Sequence, residues 1–198
     1  MKNSESRERF RNEWKYLISE PERIVLNQRL SCILKPDPHA GDGGYRIRSL
    51  YFDDYWNSAL EEKEAGILMR KKYRIRIYNC SDRMIRLERK KKFGSYIYKE
   101  DAKLTRQEAE WILDGRYDFM LHHPEPLVRE FYVECICSCM RPKVIVDYER
   151  EPWILDEGTV RVTMDRNVRA AVGSFENKLI ASSLVITTHS ILALCYLL

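Results

Sequence analysis

The sequence predicts an α+β fold in which an antiparallel sheet curls into a barrel, polar face inward and helices over its apolar outside. Three observations point there. Segment after segment alternates with period two, the period of a strand. The alternation sorts cations from apolar residues: Arg70, Lys72, Arg74 and Arg76 fall on one face, and Tyr73, Ile75 and Ile77 on the other. Capped helical stretches lie between the strands, long enough to cover an apolar outer surface. A closed barrel removes sheet edges and can enclose a ligand.

The elements follow in order. Residues 9–18 read as a first strand, with Arg11, Glu13 and Lys15 alternating with Trp14 and Tyr16. Pro21 suits a first helical turn, and the apolar positions from Ile24 carry that helix to Leu34. The segment Lys35–Gly44, rich in proline and glycine, is a loop. Tyr45–Phe52 is a strand in which Arg46 and Arg48 alternate with Tyr45 and Ile47. Asp53 or Asp54 caps a short helix through Glu64, and Gly66 ends it. Arg70–Tyr78 and Met84–Phe93 form a hairpin, with Asn79-Cys80-Ser81-Asp82 as its turn. Ser95–Lys103 is a further strand. Thr105 and Glu108 make a capping box for a helix to Asp114. Pro126–Met140 is helical with Leu127, Phe131, Tyr132 and Cys135 inward, and Pro142 ends it. Lys143–Arg150 and Thr159–Arg166 complete the strands, with Gly158 between them.

Cations gathered on one strand face repel one another. Repeated over several strands, with few acids among them, they imply a convergent site for an anion rather than a merely solvated face. The chain of 198 residues is long enough for one cored domain. Its net charge is only +4, because 30 acids offset 34 bases, so placement of charge carries the information. That balance argues against a nucleic-acid coat. The six cysteines include no C-x-x-C pair, which argues against a zinc site. The polar start lacks a signal peptide, and with free thiols this places the expected compartment in the cytoplasm.

Seven short stretches then appear in a fixed order: Arg11-Asn12-Glu13-Trp14-Lys15-Tyr16, Ser49-Leu50-Tyr51-Phe52-Asp53, Arg74-Ile75-Arg76-Ile77-Tyr78, Leu87-Glu88-Arg89-Lys90, Arg141-Pro142-Lys143-Val144, Asp147-Tyr148-Glu149-Arg150 and Val160-Arg161-Val162-Thr163-Met164-Asp165. From about Phe10 to Arg169 the chain resembles the vacuolar transporter chaperone (VTC) domain, a polyphosphate polymerase domain of the CYTH-like triphosphate tunnel metalloenzyme superfamily. The resemblance implies an antiparallel tunnel of about eight strands. It also implies transfer of the terminal phosphate of ATP to a polyphosphate chain with Mn²⁺ or Mg²⁺. Matched by position, it implies phosphate binding by Lys15, Arg74, Arg76, Lys90, Lys99, Arg150 and Arg161, with Arg74, Arg76, Lys90, Arg150 and Arg161 closest to the chemistry. Glu13 and Glu88, on the same faces, are the expected metal or orienting carboxylates.

There is no Walker A and no G-x-G-x-x-G motif, so side chains rather than a glycine loop would hold the phosphates. Phosphoryl transfer suits such a site, since it needs alignment and cations more than covalent help. The family pattern ends in a strand carrying Glu-x-Lys, and nothing after Arg169 supplies it in a strand context: Glu176-Asn177-Lys178 has the letters but reads as non-strand, followed by an uncharged tail. Residues 9–170 are therefore expected to form the tunnel domain and 171–198 an atypical tail, with an open sheet edge where the last strand belongs. Residues 179–198 carry no Asp, Glu, Lys or Arg, but their serines, threonines and histidine make a buried or disordered remnant a better reading than a membrane span. A triphosphate hydrolase of the same superfamily and a non-catalytic polyanion binder are the competing expectations. Tyr51, Phe52 and Asp53 read as structural, and Asp165 reads equally as a metal ligand or as a partner of Arg166 or Arg169.

Overall fold

The computed structural model describes residues 11–41, 43–155, 160–172, 187–191 and 194–197. The strands are β1 (Arg11–Asn12), β2 (Trp14–Leu17), β3 (Lys35–Pro36), β4 (Tyr45–Asp53), β5 (Met69–Tyr78), β6 (Ser81–Phe93), β7 (Tyr96–Leu104), β8 (Arg141–Ile154), β9 (Arg161–Val172), β10 (Thr187–Ile191) and β11 (Leu194–Leu197). The helices are α1 (Glu20–Leu30), α2 (Ser58–Glu64), α3 (Arg106–Leu113) and α4 (Pro126–Cys137). All the strands join one antiparallel sheet, in the order β1-β7-β6-β5-β4-β8-β9-β11-β2. Laid flat, nine strands would set the two ends of that path about 38 Å apart, at roughly 4.8 Å per neighbour. Its ends β1 and β2 are separated by Glu13 alone. The sheet must therefore curl until its ends meet, which gives it a concave and a convex face.

The convex face carries the core. Leu50, Phe52, Tyr73, Ile75, Ile77, Leu87, Ala102 and Ile145 pack with Ile112 of α3 and Val128, Phe131 and Cys135 of α4. Phe131 stands edge-on to Phe52 at 5.1 Å and against Tyr73 at 5.0 Å, pinning α4 to β4 and β5. Removing so enclosed a ring costs about 3–5 kcal/mol.

Several local devices fix the ends of these elements. Both helical capping boxes are formed, at Thr105 with Glu108, as expected, and at Ser19 with Glu22, which the sequence reading passed over. The α1 helix stops at Leu30, short of Leu34. The β5–β6 turn is tighter than expected. Asn79 and Cys80 alone span it, at φ 51° and 52°, the left-handed pair that two-residue hairpins favour. Helix α2 starts at Ser58 rather than after Asp53, yet Asp53 still serves it, accepting from the N–H groups of Ala59 and Leu60. Pro142 does not end α4. It lies in β8 beside a bulge of that strand, in which Lys143 is the extra residue between Val144, opposite Tyr51, and Pro142, opposite Phe52, and a residue without an N–H is tolerated at such a place. Gly44 has φ +98°, and a Cβ there would sit 2.1 Å from the Arg150 carbonyl oxygen, so only glycine allows β4 to enter flush against β8.

A strand stands where the sequence reading leaves an open edge. Leu194–Leu197 pairs with β9 on one side and β2 on the other. Its residues, Leu-Cys-Tyr-Leu, contain no Glu-x-Lys. Gly158 and Glu176-Asn177-Lys178 lie outside the described residues. No helix among the described residues is long and apolar enough to cross a membrane.

Candidate phosphate-binding face

Register decides which residues share the concave face. Ser49 pairs with Arg76, and Tyr51 with Arg74. Arg74 pairs with Glu88, Lys72 with Lys90, and Lys90 with Lys99. Arg150 pairs with Asp165. Partners across a ladder point the same way, so Lys72, Arg74, Arg76, Glu88, Lys90, Lys99, Arg150 and Asp165 all line the concave side.

Glu88 lies at the centre of one group, 1 % exposed. Arg74 donates to its Oε2 from Nε at 2.6 Å, and Arg76 Nη1 lies 3.6 Å from the same oxygen. Lys99 Nζ stands 2.7 Å from Oε1. Burial alone would raise the Glu88 carboxyl pKa, but Arg74, Arg76 and Lys99 outweigh it and bring it down to about 2. Arg74 also donates to the Tyr51 hydroxyl at 2.9 Å. Burial would push that phenol up, yet Arg74, Arg76 and Lys90 bring it down to about 8. Arg76 donates to Ser49 Oγ at 3.1 Å and to the Tyr148 hydroxyl at 3.2 Å.

Glu13 binds a second pair of cations. Its carboxylate accepts from Lys90 and stands 3.2 Å from Lys15 Nζ. Burial opposes its ionisation, but the two lysines hold its pKa below the ordinary carboxylate value. Burial also depresses Lys90, against the pull of Glu13. Since Lys90 and Glu88 are two residues apart on β6, the two groups adjoin on one face.

Across the ring the pattern is pairwise. Arg150 grips Asp165 with two bonds, 2.7 and 2.6 Å, and its guanidinium sits 5.2 Å from the Tyr148 ring. Arg161 bonds to Asp37, which lies in the loop before β4, and reaches the Tyr45 hydroxyl at 3.4 Å. Of the residues singled out from sequence, then, Arg74, Arg76, Lys99 and Glu88 meet directly, and Lys15, Lys90 and Glu13 meet beside them. Arg150 is linked to Arg76 through Tyr148. Arg161 makes its contacts further along, with Asp37 and Tyr45.

Three expectations are corrected. Arg46 and Arg48 do not face the other cations. They lie on the convex side with Leu50 and Phe52, where Arg48 (1 % exposed) and Arg46 both bind the fully buried Asp147. Tyr51 is not merely a packing residue, since its hydroxyl is held by Arg74. Asp165 bonds to Arg150, not to Arg166 or Arg169. Sequence reasoning also passed over Ser49, Tyr148 and Asp37. Pairing Ser49-Leu50-Tyr51 against Arg74-Ile75-Arg76 would have found Ser49, whereas nothing local marks Asp37.

Among the described residues no three His, Cys, Asp or Glu side chains cluster closely enough to hold a metal ion. Glu13 and Glu88 spend their oxygens on cations. They fit a Mg²⁺-type ion only in the shared mode, with one or two carboxylates and the rest of the shell from substrate phosphates.

The comparisons agree with this architecture. The chain is similar to a protein from Bacillus halodurans described provisionally as an adenylate cyclase (13% identity, TM-score 0.55, covering 93% of this chain and 78% of that one). It is also similar to one from Hippeastrum, described provisionally as an adenylyl cyclase with a dominant triphosphatase activity (12% identity, TM-score 0.56, covering 95% and 78%). At these identities the likeness shows the fold alone: a triphosphate-tunnel type of curled antiparallel sheet. No curated protein matches the sequence. The VTC domain model matches residues 10–188, nearly the whole chain, and this protein belongs to the VTC domain family.

Proposed function

We propose that this domain transfers the terminal phosphate of ATP to a polyphosphate chain on its concave face. One observation carries the reading: the buried Glu88 is approached by three cations, Arg74, Arg76 and Lys99, more positive charge than one carboxylate neutralises. The surplus is arranged for an anion with several charged oxygens. Arg74 and Arg76 would grip phosphate oxygens through planar forks, and Lys15, Lys90 and Lys99 would supply point charges. Arg150 and Arg161 would extend the row once substrate oxygens compete with Asp165 and Asp37. Glu13 and Glu88 would hold the Mn²⁺ or Mg²⁺, which when bound offsets phosphate charge and orients the transferred group. Cys32, Cys80, Cys135, Cys137 and Cys139 carry free thiols, which suits the cytoplasm, where ATP is at hand.

A second reading, hydrolysis of triphosphate, is favoured by the triphosphatase activity described for the Hippeastrum protein. Incubation with ATP and Mn²⁺ separates the two: polyphosphate supports transfer, and free phosphate without polymer supports hydrolysis. Binding of tripolyphosphate with neither product would leave a non-catalytic polyanion binder. The absent Glu-x-Lys can be tested in the same assay. Leu194 is in register with Asp165, and Tyr196 with Thr163 and Lys15. The double variant Leu194→Glu/Tyr196→Lys therefore sets a Glu-x-Lys pair in register with Asp165 and Thr163. It should raise turnover about 100-fold, the effect of restoring one well-placed electrostatic group. Equal turnover by both proteins would show that β11 needs no charge.

A further inference from the structure

The concave face is not electrically uniform from end to end. Where β5 begins and β6 ends, cation faces cation in successive rungs: Arg70 with Lys92, Lys71 with Lys91, and Lys72 with Lys90. Like charges directly opposite one another weaken a sheet. Lys71 and Lys91 point to the convex side and bind Glu134 and Glu100. Lys90 has Glu13. Arg70, Lys72 and Lys92 have no carboxylate within ion-pair distance among the described residues. Asp53, the carboxylate that acts on Lys72, is already engaged by the backbone N–H groups of Asp54, Ala59 and Leu60. Burial holds the Lys72 ammonium below its ordinary pKa, and Lys63 and Arg70 add to that against the weaker pull of Tyr51 and Asp53. At the opposite end the arginines are matched, Arg86 by Asp101, Arg150 by Asp165 and Arg161 by Asp37, and Lys103 has no ion pair among the described residues.

We propose that Arg70, Lys72 and Lys92 form a collar at which a long polyphosphate chain passes in or out of the ring, a subsite separate from the one that holds the triphosphate end. The inference rests on the reading of the face as a polyphosphate site and gives that site a direction. Arg70 stands four residues from Arg74, about 13 Å along the strand. A triphosphate seated on Arg74 and Arg76 stops short of it, whereas a longer chain does not. A collar whose cations are held in no ion pair would grip the polymer by charge alone and let it slide, as counterions exchange along a polyanion.

The test compares two probes, tripolyphosphate and polyphosphate of some tens of units, on the wild type and on Arg70→Gln/Lys72→Gln/Lys92→Gln. Binding is followed by calorimetry, and folding by circular dichroism. The triple variant should lose about 10-fold or more in affinity for the long chain. Its salt dependence should shallow by roughly two units of slope. Tripolyphosphate affinity should stay within about 2-fold, and Lys103→Gln should leave both affinities unchanged. Equal loss for both probes, or no loss for the long chain, overturns the collar while leaving the phosphate site standing. A wild type that binds neither probe overturns both. Leu68 and Met69 beside the collar are exposed. If the triple variant instead loses co-sedimentation with phosphatidylserine-containing vesicles and keeps its polyphosphate affinity, the cations serve a lipid surface and the collar is wrong.

Discussion

The two halves of the ring use charge differently. On β5, β6 and β7 a single buried carboxylate, Glu88, lies among three cations. On β8 and β9 each arginine has its own acid, Arg150 with Asp165 and Arg161 with Asp37. Pairing neutralises a site, whereas surplus leaves it open to an incoming anion. If the face binds phosphate as proposed, affinity lies on the first half, and the second half is a set of arginines that substrate oxygens must win from their partners.

The largest effect should come from deleting the hub. Glu88→Ala leaves three cations facing one another in a buried space, a loss of roughly 3–5 kcal/mol of stability by denaturant titration. Asp37→Ala, on the paired half, frees an arginine whose side chain is already 33% exposed, and should cost about 1–2 kcal/mol. If the two variants lose equal stability, the halves do not differ as described.

Acid should expose the same difference. Glu88 is held at about 2, below its ordinary 4.5. A carboxyl depressed by folding stabilises the protein above the unfolded value, and that stability is lost as pH falls through the folded one. Between about pH 4.5 and 2 the wild type should lose on the order of 3 kcal/mol that Glu88→Gln does not. Parallel acid unfolding of the two proteins would remove Glu88 as the cause.

Binding should rank the arginines. Arg74→Ala takes a cation from Glu88 and from Tyr51 together, and should weaken tripolyphosphate binding about 10- to 100-fold, the range of a charged, fork-shaped contact. Arg161→Ala should cost only a few-fold, about 1 kcal/mol or less, since Asp37 already occupies it. Reversal of that order in a calorimetric titration would shift the centre of the site to β9. The smallest effect is spectroscopic. Tyr51, held down to about 8, should contribute a tyrosinate absorbance step that Tyr51→Phe lacks. Tripolyphosphate should move that step to higher pH by neutralising Arg74 and Arg76. A step insensitive to the anion would mean that the anion binds away from Tyr51.

The strands, their order of charged and apolar positions and the capping of α3 were legible because each depends on neighbours within a few residues. Period two placed Arg74 with Arg76 and Glu88 with Lys90, and the ladder then sets both pairs on one face. The same rule misled at Arg46 and Arg48. Alternation says that two residues share a face but not which face, and the choice came from the pairing of Ser49 with Arg76 and from Asp147 nearly a hundred residues on. Pro142 misled for a similar reason: a proline forbids a helix interior and a regular ladder rung but not a bulge, and the bulge at Lys143 beside it is set by pairing with β4, about ninety residues earlier.

By itself, then, the sequence determined the fold class, the family and most of the cationic row, since periodicity, caps and ordered short motifs are written into contiguous residues. Tertiary structure alone decided how the row is partitioned. The meeting of Glu88 with Lys99, the grip of Arg150 on Asp165, the reach of Arg161 to Asp37 and the seat of Leu194–Leu197 between β9 and β2 are set by register and curl. Whether a cation is spent on an acid or left for a ligand depends on distances of a few ångströms between strands far apart in the chain. Coulomb energies in a poorly solvated site change steeply over such distances.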